Sequence, residues 1–203
     1  TFNNIIDVSL MTGLTHVGLS ASNASGDTQF TNLKNIVAAE MVNGSADLTV
    51  AYQAAAVVGT ADTQNLTLSN QTAGNFTAAD VETIAITSNL LANTLTTLTA
   101  AAATNITMSG AVALTITDEI SATVANIATI DASGMTAAVS LVNNNTTTTA
   151  TLGSANDTYK TSAAVAASYS VDGGAGTDTI SVTAATVLDT AVETARYTNF
   201  EAL

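Results

Sequence analysis

Residues 48–86, LTVAYQAAAVVGTADTQNLTLSNQTAGNFTAADVETIAI, decide the fold. The run holds three short segments of one design: Leu48-Thr49-Val50, Leu66-Thr67-Leu68 and Ile84-Ala85-Ile86. In each, two apolar side chains flank a small one. An extended chain sends alternate side chains to opposite faces, so each segment turns two apolar groups inward and one small group outward. Between the segments lie Gly, Asn, Asp, Ser and Thr, the residues that turns favour. Leu48, Leu66 and Ile84 follow one another at 18 residues.

The same design extends in both sequence and spacing. Ile106-Thr107-Met108, Leu114-Thr115-Ile116, Val139-Ser140-Leu141 and Ile180-Ser181-Val182 repeat it, and Ile84, Ile106 and Ala128 follow at 22. A period near 20 marks a solenoid, in which each coil buries its apolar face against the next. Short strands without heptads favour a right-handed parallel β-helix: an all-β β-solenoid, one segment over residues 1–203. The extra strands at Leu114 and Val139 fall off the main spacing, as expected where a coil carries two or three strands. A second recurrence, FTNLKNI from Phe30, FTAADVETIAI from Phe76, VANIATID from Val124 and YTNFEAL from Tyr197, supports the repeat. The outward threonines are a β-propensity choice. The sequence opens at Thr1 and stops in mid-pattern, and reads as a fragment of a longer protein.

Charge narrows the function. Lys34, Lys160 and Arg196 are the only Lys or Arg residues against 16 acids, for a net charge of -13. Phosphate backbones and anionic lipid surfaces both require basic residues, so nucleic acid and membrane-surface partners are excluded. Divalent cations suit such a chain. No run of about 18 apolar residues is present, so no membrane insertion is expected. Catalytic signals are equally sparse. There is no cysteine, His16 is the lone histidine, no G-x-S-x-G elbow occurs, and GGAGTD opens a strand rather than a dinucleotide-binding helix. The expectation is that the protein is not an enzyme.

Residues Gly173-Gly174-Ala175-Gly176-Thr177-Asp178-Thr179-Ile180-Ser181 match the nonapeptide G-G-x-G-x-D-x-U-x, where U is a large apolar residue. Gly173, Gly174 and Gly176 permit a tight loop with bare carbonyls, and Asp178 adds a carboxylate. Calcium takes 6 to 8 hard oxygen ligands in flexible geometry. Ile180 then enters a core strand. One half-loop does not complete the shell. A degenerate partner, Gly153-Ser154-Ala155-Asn156-Asp157-Thr158-Tyr159, lies upstream, with Ala155 in place of the third glycine. Asp157 and Asp178 are 21 residues apart, near one coil, so Gly153, Asn156 and Asp157 are candidate ligands beside Asp178. Asp172 is also in reach. The alternative for Asp178 is a turn residue that bonds only its own backbone. The acid–glycine stretches NGSAD, GTAD and SGD read as plain turns, and Asp118-Glu119 as a solvated corner.

The nonapeptide resembles that of the RTX proteins, calcium-binding and type I-secreted. VETIAITS, TIDASGM and GSANDTY…DGGAGTDTI, in that order in an acidic Ala/Thr-rich chain, resemble the bacterial surface-layer (S-layer) branch of that group. The resemblance implies a structural protein secreted to the bacterial cell surface, where copies of it assemble into a calcium-dependent lattice, with cell-surface polysaccharide as a further partner. It also implies Ca2+ at residues 153–182. One full nonapeptide stands here where RTX proteins carry several in tandem, which favours one or two sites over a long calcium roll. The alternative is an RTX-type adhesin that binds a host or polysaccharide ligand on the same scaffold.

Overall fold

Alternation of apolar and small side chains leaves each strand one face to bury, and the chain buries it by coiling. A computed structural model describes residues 4–120, 124, 126–183 and 188–203. The strands, numbered in chain order, form three parallel sheets. Sheet A stacks β1 (Asn4–Asp7), β3 (Thr28–Leu33), β5 (Leu48–Tyr52), β7 (Phe76–Thr77) and β10 (Leu98–Thr99). Sheet B stacks β2 (His16–Ser20), β4 (Ala38–Val42), β6 (Thr63–Ser69), β8 (Thr83–Asn89), β11 (Asn105–Gly110), β13 (Thr129–Met135), β15 (Thr149–Thr151), β17 (Val171–Asp172) and β19 (Tyr197–Thr198). Sheet C stacks β9 (Asn93–Leu95), β12 (Leu114–Glu119), β14 (Val139–Val142), β16 (Thr158–Thr161) and β18 (Thr179–Val182). The expected all-β parallel solenoid is the architecture found. The early coils alternate sheets A and B, the late coils B and C. The coil carrying β8, β9 and β10 uses all three.

Inside, like side chains stack on like. Ile84, Ile106, Ile130, Ala150, Val171 and Tyr197 form one inward column of sheet B. Each of them is buried. Burying a side chain of this size is worth about 1.5–3 kcal/mol, and that sum over the columns offsets the chain's lost entropy. Gln64 occupies the same column beside Ile84. Its amide is satisfied there: Nε2 donates to Val37 O (2.9 Å) and Asn65 O (2.7 Å), and Tyr52 O–H donates to Oε1. Outward, Thr63, Thr83, Asn105, Thr129 and Thr149 keep one register.

The equal spacing that reveals the solenoid does not give its phase. Leu48 lies in sheet A, stacked on Thr28 and Phe76, whereas Leu66 lies in sheet B, stacked on Ala39 and Ile86. The 18 residues between them therefore span a corner rather than one coil. The aromatic recurrence fails for the same reason. Phe30 faces Val50 while Phe76 faces Leu48, and Tyr197 is in sheet B. The stretch from Val124 runs through Ala125, outside the described residues. Among those described, no helix is long and apolar enough to cross a membrane.

Candidate ion site at the corner between sheets B and C

Residues 173–178 join β17 to β18, and residues 152–157 join β15 to β16. The pairings Ala150↔Val171 and Thr158↔Thr179 put these turns in adjacent coils, one directly on the other. The expected stacking of the two loops is thus found, and three contacts lock it. Ala175 N–H donates to Gly153 O (3.1 Å), Thr177 N–H to Asn156 Oδ1 (2.9 Å), and Asp157 N–H to Asp178 Oδ1 (2.7 Å).

The glycines answer first to this stacking. Gly174 has φ +88°, and a Cβ there would lie 2.1 Å from Gly153 O. At Gly173 a Cβ would lie 2.0 Å from Asn199 O in the next coil. Only a bare α-carbon lets the backbones approach so closely. Gly153 and Gly176 are pressed in the same way, against Met135 O and Ala155 O.

Asp157 and Asp178 occupy one column, each immediately before a sheet C strand. Sequence reasoning missed the third member, Glu201, which lies 23 residues past Asp178, again about one coil. The carboxylates here replace the backbone carbonyl of a regular ladder. Asp157 accepts from Val139 N–H (2.7 Å) and Gly153 N–H (2.8 Å), so both its oxygens are engaged. Asp178 Oδ1 accepts from Asp157, and Glu201 Oε2 accepts from Asp178 N–H (2.7 Å). Asp172 stands beside the column, its Oδ1 accepting from Gly174 N–H (3.0 Å) and Asn199 Nδ2 (2.7 Å). The reading of Asp178 as a turn residue bonded to its own loop is thereby refined: its bond goes to the backbone of the coil before.

One atom in this corner has nothing to bond. Asp178 is fully buried, and its Oδ2 has no hydrogen-bond partner. A buried carboxylate oxygen left so costs several kcal/mol unless a proton or a cation meets it. Burial pushes the Asp178 carboxyl above the usual carboxylate range; the Asp157 N–H opposes this, and the charges of Glu201 and Asp172 add to it. Burial likewise raises Asp157, opposed by its two backbone donors and assisted by the charge of Asp178. No Lys or Arg stands in the column to relieve it.

These carboxylates are spread one per coil, about 4.8 Å apart along the axis. Among the described residues, no group of three or more His, Cys, Asp or Glu is gathered closely enough to hold a metal. The column is therefore not a cage of acids, and its one buried carboxylate oxygen without a hydrogen bond is Asp178 Oδ2. Asp157 and Asn156 are already committed to backbone donors. The other acid corners behave as ladders too: Asp47 N–H donates to Asp27 Oδ1 (3.0 Å) and Asn75 N–H to Asp47 Oδ1 (2.8 Å). His16 is exposed, its Nδ1 3.1 Å from Thr15 Oγ1. No protein-family model, no curated protein and no solved structure matches the chain.

Proposed function

We propose that this chain is a structural surface-layer segment: a solenoid secreted to the bacterial cell surface, which takes calcium at residues 173–178 and assembles with copies of itself. The observation that supports it is the unpartnered, fully buried Asp178 Oδ2 in a column of acids. Asp178 and the carbonyls of its glycine loop would hold the ion, with Asp172 and Glu201 as the neighbouring carboxylates. The ion would supply positive charge where the chain supplies none. Coupling to location follows from concentration. Extracellular calcium modules bind at about 10⁻⁴ to 10⁻³ M, and a tenfold excess over Kd stabilises the folded state by about 1.4 kcal/mol. Where calcium is scarce, the net charge of -13 opposes both compaction and association. The role is mechanical rather than catalytic.

Two measurements test the two parts. Thermal melting in millimolar calcium against excess chelator is expected to show a higher Tm with calcium; equal values would overturn the ion site. Electron microscopy of the purified chain with calcium is expected to show an ordered array that chelator dissolves. If no array forms in calcium, the assembly reading fails.

A further inference from the structure

At the end of each early sheet B strand the chain turns through a residue of positive φ. Ala21, Asn43, Asn70 and Leu90, with φ between 52° and 62°, hold this position in successive coils, as the pairings of Ser20, Val42, Ser69 and Asn89 require. Asparagine suits the slot, because its side chain tolerates the left-handed region. Asn70 Nδ2 also donates to Asn43 Oδ1 (2.9 Å), starting a ladder up the corner. Leu90 breaks it. A branched apolar residue there gains nothing from the conformation, and it is 68% exposed. Leu91 beside it is 59% exposed.

The corner is held rather than loose. Asn93, fully buried beneath it, accepts from Gln71 N–H (2.7 Å), and its amide nitrogen lies 2.9 Å from Leu91 O and 3.1 Å from Asn89 O. Exposed Ala92 and Ala111 and half-buried Val112 extend the apolar surface into the next coil. No charged residue occurs between Glu82 and Asp118, in a chain whose net charge is -13.

We infer that this uncharged corner, led by Leu90 and Leu91, is a contact between copies of this chain. The inference rests on the self-association proposed above and names its surface. Two like-charged molecules approach at least cost where neither carries carboxylates, and the turns stacked at this corner, residues 69–72, 89–92 and 109–113, carry none. Backbone strain retained under an exposed apolar side chain points the same way, since strain survives where a function uses it.

The test compares Leu90→Asn, the double variant Leu90→Asn/Leu91→Ser, and Val58→Asn as a control. Val58 is an exposed apolar residue at a different corner, 70% exposed. Self-association is read by sedimentation and electron microscopy in calcium, folding by Tm with and without calcium. Leu90→Asn restores the residue the slot favours, so its Tm is expected at or above wild type, with the calcium response kept. Its association is expected to weaken by about tenfold or more, and that of the double variant further. Val58→Asn is expected to associate as wild type does. Unchanged association in the double variant overturns the inference, as does an equal loss in Val58→Asn. A wild-type chain that never associates overturns both this and the assembly reading, while a calcium-dependent Tm would leave the ion site standing.

Discussion

Replacing Gly174 by alanine asks whether the glycines of residues 173–178 serve the stacking of coils or the ion. The new Cβ would sit 2.1 Å from Gly153 O, and the backbone there has φ +88°. An L-residue in the left-handed region costs about 1–2 kcal/mol. The contact is roughly 1 Å too short for any carbon–oxygen pair, so the corner must open. Opening it breaks the bond from Ala175 N–H to Gly153 O (3.1 Å), leaving the carbonyl of buried Gly153 without its donor at about 1–3 kcal/mol. Together these predict a loss of about 2–5 kcal/mol, which for a chain of this length is a fall in Tm on the order of 10 °C. Gly59→Ala is the control. It has φ +114° but nothing within 4 Å, so only the backbone cost of about 1–2 kcal/mol applies. Calorimetry of both variants in chelator measures the difference. Equal losses would refute the argument that coil-to-coil approach demands Gly174. A loss seen only in calcium would assign the glycine to the ion instead.

Other expectations follow from the same column. Asp157→Ala strips the acceptor from two buried donors, Val139 N–H and Gly153 N–H, and should cost about 2–5 kcal/mol in urea unfolding, with Asp157→Asn losing less. Asp157 and Asp178 hold protons more tightly folded than unfolded, since both carboxyl pKa values are raised. Their contribution is complete below the unfolded carboxylate value of about 3.9 and is lost as pH rises through the folded one. In chelator, stability should therefore decline as pH is raised from about 4 toward neutrality, and Asp178→Asn should flatten the decline; a profile identical in wild type and variant contradicts this. Ile106→Ala, in the middle of the sheet B column, should cost about 2–5 kcal/mol by chemical denaturation, through the cavity it leaves between Ile84 and Ile130.

The fold class was legible because strand alternation is local: Ile84-Ala85-Ile86 declares its inward face without help from the rest of the chain. Phase was not. Coils differ in length because their corners do: residues 53–62 separate β5 from β6, whereas Thr96 and Thr97 alone separate β9 from β10. Equal spacing in sequence therefore carried Leu48 and Leu66 to different sheets. The two loops of the candidate site were paired correctly from their 21-residue offset, because that offset equals a true coil. Glu201 carried the same signal in NFEAL, but it lacks flanking glycines, and its role as an acceptor appears only when the coils are stacked. The division of labour between Asp157, with both oxygens engaged, and Asp178, with one free, depends on which donors face each carboxylate. No motif encodes that.

Sheet B has a mechanical consequence. It is the one sheet whose strands run from the first described coils to the last, since A holds only early strands and C only later ones. Tension along the axis therefore passes from one end to the other through the hydrogen bonds linking β6, β8, β11 and β13, with A and C sharing the load over half the length each. Under stretching, the molecule should yield coil by coil rather than at once. The coil of β8, β9 and β10 is where the load changes sides, which makes it the natural place for the rod to bend.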